Sequence, residues 1–312
     1  MTAKIDMLLK VCDLYYNQRF TQAEIARKLD SSRTTISRIL DEAREEGYVQ
    51  INILAPLKKN EVLASKLKRK YSLKNAIVFE NIGEYSFDLE NLGKTIANYV
   101  NSIVKKNYTI GISWGKAMES FVTNMSHYEW KNCRIVQING SLGSDGNAMD
   151  ASEIAIRLGQ QTNSHYELLS APAFVDSKNL QNELLNQTQI KKVIALADEY
   201  DISISGIGNL KQRYNTIYLS GVVTKRDLNI LKEHGAVGHI AGRMYDKDGN
   251  EVLIEDQWPI SPSIGIFKNV LHSIGCAIGE DRSEAVKGAI KGELINTLIC
   301  DAALAKKILN DD

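Results

Sequence analysis

From Asn75 onwards, short apolar runs alternate with longer amphipathic segments along the chain. A short apolar run between turn residues is typical of a buried strand, whereas an apolar stripe at helical spacing is typical of a helix. Regular alternation of the two predicts a mostly parallel sheet with helices on both faces. Asp248-Gly249 predicts a hairpin turn. The predicted strands are 76–79, 108–113, 134–139, 166–170, 202–205, 239–245, 276–278 and 298–300, and the predicted helices are 87–104, 152–161, 190–200, 225–234, 282–291 and 302–309.

The residues before position 50 show a different pattern, which predicts three helices in succession. Thr21–Glu24 fits a capping box, in which the threonine caps the helix and the glutamate reaches back to the threonine amide. Asp30-Ser31-Ser32 is expected to end this second helix and to cap a third, which stops at Gly47. A short strand or wing is expected over 48–53, before Pro56. The second helix is expected to bury Ala23, Ile25, Ala26 and Leu29.

The predicted second helix, the tight turn and the third helix follow one another in the order that a helix-turn-helix requires. The turn and the start of the third helix, from Ser31 to Leu40, contain no acidic residue, so no carboxylate there would repel DNA phosphates. Short polar and arginine side chains at this point favour contact with base edges and phosphates. A plain three-helix bundle with a solvated polar helix is the alternative. The predicted DNA-contacting residues are Thr21, Gln22, Ser32, Arg33, Thr34, Thr35, Ser37 and Arg38.

The overall charge does not itself indicate DNA binding, because 38 basic residues balance 38 acidic ones among 312. Any charge that binds DNA must therefore be local. The stretch 58–74 holds seven lysines and arginines against one acid, Glu61. It predicts a helical connector that is either solvated or packed between subunits or near DNA phosphate. The predicted domains are a DNA-binding domain over 1–56, a basic connector over 57–74 and an effector domain over 75–312.

The four cysteines lie far apart and form no CxxC pair, which argues against a zinc module and against a disulfide framework. The histidines lack the HExxH spacing of a metal site. The N-terminal segment lacks the apolar core of a signal peptide, and no apolar run has the ~20 residues that span a bilayer. We therefore expect a cytoplasmic protein with no metal, no cofactor and no membrane partner.

Three glycine-rich turns follow predicted strands of the larger domain: Gly111–Lys116, Asn139–Ser144 and Ser205–Gly208. Such turns present backbone N–H groups to anions, and in parallel sheets they gather where the strands end and ligands bind. They predict a pocket for a phosphorylated or polyhydroxylated molecule, although a single turn of this kind often serves packing only. Gly111–Gly115 also matches G-x-S-x-G, the nucleophile elbow of α/β-hydrolases, but no acid and histidine stand in a recognisable motif for a triad.

Several segments of the chain occur in the order typical of one known family: Leu14–Ile51, GISWGKA (Gly111–Ala117), VQINGSLG (Val136–Gly143), LLSAPAFV (Leu168–Val175), SGIGNL (Ser205–Leu210), His234–Val252 and Gly288–Leu309. On these segments the chain resembles the SorC family of bacterial sugar-responsive regulators over nearly its whole length. The family implies an α/β effector domain similar to the sugar-phosphate isomerase and CoA-transferase fold, without catalysis. Its ligands are typically phosphorylated sugars, and its members typically form tetramers on operator DNA.

The glycine turns and the resemblance together imply an effector site. His239 stands where relatives usually have an acid, and Glu280 and Asp281 precede Arg282, the arginine expected to hold a phosphate. A histidine that contacts ligand would make affinity depend on pH near its ordinary pKa of about 6.5. The expected effector-binding residues are Ser113, Gly115, Lys116, Asn139, Gly140, Ser141, Leu142, Gly143, Asp150, His239 and Arg282.

These features predict a regulator of a carbohydrate operon, in which double-stranded operator DNA binds one domain and a sugar or sugar-phosphate effector binds the other. A homo-oligomer, expected to be a tetramer, would hold the DNA-binding units at fixed spacing. The effector would shift DNA affinity by the difference of its affinities for the two subunit arrangements. One alternative is a sugar-phosphate-processing enzyme with an appended DNA-binding domain, and another is a DNA-bridging protein that senses nothing.

Overall fold

A computed structural model describes residues 3–49, 57–143, 150–211 and 216–310. The chain divides into two compact units, Met1–Ala55 and Pro56–Asp312. Residues 50–53 of the predicted wing and Pro56 lie outside the described residues, and Tyr48 and Val49 are not in a strand. Among the helices described, none is both long enough and apolar enough to cross a membrane.

The first unit contains the three predicted helices around one small core. Leu8 and Val11 of the first helix pack with Ile25 of the second and Leu40 of the third. The prediction that Ala23 is buried is wrong, because the second helix has only two turns and Ile25 and Ala26 form its single buried stripe. The helices are α1 (Ala3–Cys12), α2 (Gln22–Lys28) and α3 (Arg33–Glu45), and α1 continues into a π-helical turn at Asp13–Asn17.

A nine-stranded sheet forms the centre of the second unit. Seven strands are parallel in the order β1-β11-β10-β6-β2-β3-β4, and the antiparallel hairpin of β7 and β8 extends from the end of β6. A separate antiparallel pair joins β5 to β9. The strands are β1 (Asn75–Phe79), β2 (Thr109–Ile112), β3 (Arg134–Gln137), β4 (His165–Glu167), β5 (Phe174–Val175), β6 (Ile202–Asn209), β7 (Ala236–Ile240), β8 (Arg243–Asp246), β9 (Trp258–Pro259), β10 (His272–Ala277) and β11 (Thr297–Asp301).

Helices cover both faces of the sheet, as the strand–helix alternation predicts. One hydrophobic core contains Ile96, Phe121 and Leu158 of α5, α6 and α7, and the other contains Leu67 and Leu304 of α4 and α13. The helices are α4 (Glu61–Tyr71), α5 (Tyr85–Ile103), α6 (Lys116–Thr123), α7 (Ala151–Thr162), α8 (Lys178–Asn186), α9 (Thr188–Ala195), α10 (Thr216–Leu219), α11 (Lys225–Glu233), α12 (Ser283–Lys291) and α13 (Ala302–Asn310).

Several features of the second unit differ from the sequence prediction. Ser205–Gly208, predicted as a turn after a strand, lies within β6, and α8 and the β5–β9 pair were not predicted. The single strand predicted over 239–245 is the β7–β8 hairpin, whose turn residues Ala241 and Gly242 both have positive φ, 45° and 77°. Two consecutive positive φ values characterise the type I′ turn, which matches the twist of a hairpin. The segment predicted as a separate connector over 57–74 is part of the second unit, because Leu63, Ala64 and Leu67 of α4 are buried in its core.

Candidate functional site

The predicted helix-turn-helix is present, and its capping box is confirmed. The Thr21 hydroxyl accepts a hydrogen bond from the Glu24 amide at 3.3 Å, and the Thr21 amide donates to Glu24 Oε2 at 2.8 Å. These hydrogen bonds, chiefly that from the Thr21 amide, lower the pKa of Glu24. Asp30 adopts a left-handed conformation with φ of 47° at the turn between α2 and α3. A short polar side chain tolerates this conformation better than an apolar one does.

The start of α3 divides the predicted DNA-contacting residues into two groups. The hydroxyls of Ser32 and Thr35 lie 2.8 Å apart, and Ser32 also accepts the Thr35 amide at 3.0 Å, so both side chains serve to cap the helix. Arg33, Thr34 and Arg38 are exposed and form no hydrogen bond or ion pair with another described residue. They are therefore the side chains most available to DNA. Of the remaining predicted residues, Thr21 is exposed, while Gln22 and Ser37 are half-buried.

Charge is distributed unevenly along α3. Its first half carries Arg33 and Arg38, and its acids begin at Asp41. Asp41 pairs with Arg44 at 2.6 Å, and Glu42 pairs with Lys4 of α1, whose hydrogen bond lowers the pKa of Glu42. Both of these carboxylates are thus neutralised within the first unit, and the N-terminal half of α3 remains positive.

A cleft in the second unit lies where β2, β6 and β10 end. We call it the central cleft. It brings together five of the predicted effector-binding residues: Ser113, Gly115, Lys116, His239 and Arg282. The remaining lining residues are Tyr85, Leu89, Leu92, Trp114, Ala117, Gly206, Ile207, Gly208, Thr216, Ala241, Cys276, Ala277 and Ile278.

The N-terminus of α6 opens onto the central cleft. Gly115 precedes the helix with φ of 105°, a conformation that glycine adopts without strain, and no side chain of the described residues caps the first amides. Free amides and the helix dipole favour an anion at such a position. Lys116, the first residue of α6, adds a full positive charge to the same wall.

Arg282 also lines the central cleft and is itself largely buried. Its Nη1 donates to the Ile278 carbonyl at 2.5 Å and lies 3.5 Å from Asp281 Oδ1. The Asp281 carboxylate also accepts from Asn209 Nδ2 at 2.9 Å. Neither Glu280 nor Asp281 is among the described residues that line the cleft. The Asp281 carboxylate instead contacts Arg282 and Asn209.

His239 is a buried neutral group beside that arginine. Burial, and secondarily the charge of Arg282, lower its pKa to about 4. The expected pH dependence near 6.5 is therefore corrected, because the imidazole is already neutral there. Neither ring nitrogen has a hydrogen-bond partner among the described residues, so a ligand finds one donor and one acceptor. Gly208, its register partner on β6, leaves room for the ring.

We predict that His239 makes the fold sensitive to acid. Because its folded-state pKa lies below its ordinary value of 6.5, its stabilising contribution is complete above pH 6.5 and is lost as the pH falls to about 4. The difference between the pKa of His239 in the folded protein and its ordinary value corresponds to about 3 kcal/mol in the free energy of unfolding. Urea unfolding of wild type and His239→Gln across this range measures it. Equal losses of stability in both proteins would contradict the prediction, since glutamine does not titrate.

The structure places the predicted residues 139–143 and Asp150 outside the cleft lining. Asp150 caps α7, and its carboxylate accepts hydrogen bonds from Ser141 Oγ at 2.6 Å, the Leu142 amide at 3.0 Å and both polar groups of Ser152. Burial alone would raise the pKa of Asp150, but these hydrogen bonds lower it. The carboxylate thus fixes the loop to α7, and its predicted contact with an effector stays a prediction.

The other residues of this loop have mixed roles. A Cβ atom at Gly140 would lie 2.2 Å from the Pro172 carbonyl oxygen, so close backbone packing requires glycine there. The side-chain oxygen and nitrogen of Asn139 are buried and have no partner among the described residues. Gly143 has φ of 67° and nothing close to its Cβ position.

Several lining residues were not predicted from the sequence. Gly206 and Gly208 belong to the third glycine-rich segment, which the sequence predicts as a turn but which lies within β6, and neither glycine is among the expected effector-binding residues. Trp114 lies in the first glycine-rich turn but is not among the expected effector-binding residues. Cys276 and Tyr85 give no signal of a binding site in the sequence, because their sequence environments are those of an ordinary strand end and helix start. Only the packing of α5 and β10 against the cleft identifies them.

The geometry at Ser113 does not form a nucleophile elbow. Its hydroxyl is buried, and the partner found for it is the Trp114 carbonyl oxygen at 3.5 Å. His239 lines the same cleft but makes no hydrogen bond to Ser113. No aspartate or glutamate is among the described residues that line the cleft. A serine triad needs the serine–histidine and histidine–acid contacts together.

Comparison with known proteins gives matches over both units. Residues 14–50 match the model for winged helix-turn-helix DNA-binding domains, and residues 56–310 match the model described as "Putative sugar-binding domain". The sorbitol operon regulator of Klebsiella pneumoniae is 30% identical over 311 residues, which cover 98% of this chain and 98% of that protein. The deoxyribonucleoside regulator of Bacillus subtilis is 29% identical, with coverage of 99% and 98%.

A solved structure agrees with this assignment. The crystal structure of the full-length sorbitol operon regulator from Klebsiella pneumoniae aligns with a TM-score of 0.74 and 27% identity, covering 99% of this chain and 100% of that one. The prediction of a helix-turn-helix domain followed by a larger α/β domain is thereby confirmed. The chain belongs to the SorC-type family of transcriptional regulators, which combine a helix-turn-helix with a sugar-binding domain.

Proposed function

We propose that the effector of this regulator is a small sugar phosphate that binds in the central cleft, and that its binding changes the affinity of the helix-turn-helix for operator DNA. The protein would act in the cytoplasm as a homo-oligomer, a tetramer by analogy with the family, without any catalytic step. Arg33, Thr34 and Arg38 would contact the operator directly.

The charge of the cleft lining is the observation that carries this proposal. Lys116 and Arg282 supply two cations, of which Arg282 is paired with Asp281 at 3.5 Å. His239 is neutral, and none of the described lining residues is acidic. A site built for an uncharged sugar needs no such excess of positive charge, whereas a phosphate is stabilised by it. The α6 amides can donate hydrogen bonds to phosphate oxygens, and Arg282 adds a positive charge to the same cleft.

The remaining lining groups suit the sugar part of the ligand. His239 offers one donor and one acceptor, and Ser113 and Thr216 offer hydroxyls, all of which can pair with sugar hydroxyl groups. Trp114 and Leu92 supply apolar surface for the carbon face of the sugar. The relatives named for sorbitol and for deoxyribonucleosides indicate which compounds to test first.

Thermal unfolding with matched ligand pairs tests the proposal. The phosphates of sorbitol, glucose, fructose and deoxyribose are compared with their unphosphorylated parents. A ligand at a hundred times its Kd stabilises the folded protein by about 2.7 kcal/mol, which raises Tm measurably. We expect one phosphate to raise Tm and its parent sugar not to do so. A shift with the parent sugars alone, or with none of the compounds, would refute the anionic effector.

A second experiment removes the charge of Lys116, the first residue of α6. Lys116→Gln is expected to weaken the responding phosphate at least tenfold, measured by calorimetric titration. Lys105→Gln removes the same charge from an exposed position that is not in the cleft lining and is expected to leave the Kd unchanged. Equal effects of both substitutions would show that general charge, and not the cleft, governs binding. Sedimentation velocity with and without ligand measures the oligomeric state.

A further inference from the structure

The exposed surfaces of α4 and α13 form a strongly positive area on the second unit, which we call the basic face. It comprises Lys66, Lys68, Arg69 and Lys70 of α4 with Lys306 and Lys307 of α13, all of them exposed. The described residues of the two helices contain one acid, Glu61, at the far end of α4. In a chain with zero net charge, this concentration of cations is not a consequence of composition.

The two helices that carry these cations are neighbours in the fold. They pack side by side, since Leu63 and Leu67 of α4 share a core with Leu304 and Ile308 of α13. Their C-terminal ends are joined directly, because Lys70 Nζ donates to the Leu309 carbonyl at 3.0 Å. Beyond these ends, the surface continues into a groove whose lining holds five lysines against two glutamates.

The cations at the centre of the basic face are not neutralised within the described chain. Lys66, Lys68, Arg69 and Lys306 form no ion pair with a carboxylate among the described residues. Like charges held this close repel one another, and an external anion relieves that repulsion. On an ordinary solvated surface, charges of both signs alternate and neutralise one another. The basic face differs from such a surface because its cations have to be neutralised by an external anion.

We propose that the basic face binds the phosphate backbone of duplex DNA without regard to sequence, as a DNA contact in addition to that of the helix-turn-helix. Duplex DNA carries a charge about every 1.7 Å, so a row of cations along two helices can meet several phosphates. Five of the six cations are lysines, which act as point charges on phosphate and lack the planar fork that reads guanine. The face has one large exposed apolar residue, Val62, too little to insert into a membrane.

The test is the salt dependence of binding to a labelled duplex of random sequence. Lys66→Gln, Lys68→Gln and Arg69→Gln are combined in the full chain, because glutamine keeps the helix propensity of lysine and arginine. Loss of three phosphate contacts should reduce the slope of log K against log salt by about 2 to 3 and weaken binding roughly tenfold or more at moderate salt. The matched control carries Lys105→Gln, Lys106→Gln and Lys131→Gln, which remove equal charge from other exposed positions. It is expected to retain the wild-type slope.

Repeating the comparison in an Arg33→Ala, Arg38→Ala background separates this contact from the helix-turn-helix. In this background the substitutions on α4 should still lower both the salt slope and the affinity for the random duplex, because the basic face binds DNA independently of Arg33 and Arg38. Unchanged binding in either background, or an equal loss in the control, would overturn the proposal. Loss of binding to vesicles of phosphatidylserine and phosphatidylcholine, without loss on DNA, would overturn it in favour of a membrane surface. Circular dichroism establishes that the variants keep their helices.

Discussion

Replacing Arg33 and Arg38 together with alanine is expected to weaken binding to operator DNA about a hundredfold or more. Each arginine at the start of a recognition helix contributes about 1–3 kcal/mol when it contacts a base edge or phosphate. Both side chains are exposed at the acid-free start of α3 and form no hydrogen bond or ion pair with other described residues, so their removal costs no contact within the protein. Electrophoretic mobility shifts or fluorescence anisotropy measure the loss.

Arg44→Ala is the matched control for this prediction. Arg44 lies on the same helix and carries the same charge, but it donates to Asp41 Oδ1 at 2.6 Å and to the Leu40 carbonyl at 3.3 Å. Its removal is expected to leave DNA affinity within about threefold of wild type, because an exposed ion pair contributes only ~0–1 kcal/mol. If Arg44→Ala weakened binding as much as the double variant, the recognition surface would have to include the far end of α3.

A second large effect is expected from Gly208→Ala. A Cβ atom there would lie 2.0 Å from His239 Nε2 and 2.4 Å from its Cε1. The ring is buried in the cleft wall, so relieving the clash forces it out of position at a cost of about 1–3 kcal/mol in the free energy of unfolding. We also expect the responding effector to lose at least tenfold in affinity, because the displaced imidazole occupies ligand space.

Two comparisons give this prediction its specificity. Gly206→Ala makes the same change two residues earlier on β6, where the nearest atom to the new Cβ would be Ala117 Cβ at 3.8 Å, an ordinary contact. Its free energy of unfolding should stay close to that of wild type. In a His239→Ala background, Gly208→Ala should cost almost nothing, because the clashing ring is gone. A double-mutant cycle with no coupling between the two positions would contradict the mechanism.

The sequence was sufficient for those parts of the fold that depend on local pattern. The seven parallel strands follow from apolar runs such as 298–300, and the capping box at Thr21 follows from two residues at a fixed spacing. The β7–β8 hairpin was missed because its turn has alanine at position 241, where a type I′ turn usually shows asparagine, aspartate or glycine. The sequence therefore predicted one continuous strand over 239–245.

The site was predicted less completely, because it depends on contacts between distant segments. Glycine-rich turns indicated which strand ends would bind a ligand, and Lys116 and Arg282 do line one cleft. The sequence could not show that the Asp150 carboxylate accepts hydrogen bonds from Ser141 and Leu142. Nor could it show that burial beside Arg282 keeps His239 neutral. Both facts arise from tertiary packing, which no local pattern encodes.

The position of α4 determines where this protein can be recombined with others. A chimeric regulator that joins a foreign DNA-binding head at residue 75 would delete a helix whose Leu67 is fully buried, and the cavity left by one such leucine alone costs about 2–5 kcal/mol. A joint placed between Val49 and Leu57 keeps that helix with the sensor. We therefore expect DNA specificity to be exchanged successfully between regulators of this architecture when the joint lies between Val49 and Leu57. In such a chimera, α4 stays with the ligand-binding unit and is not replaced together with the DNA-binding unit.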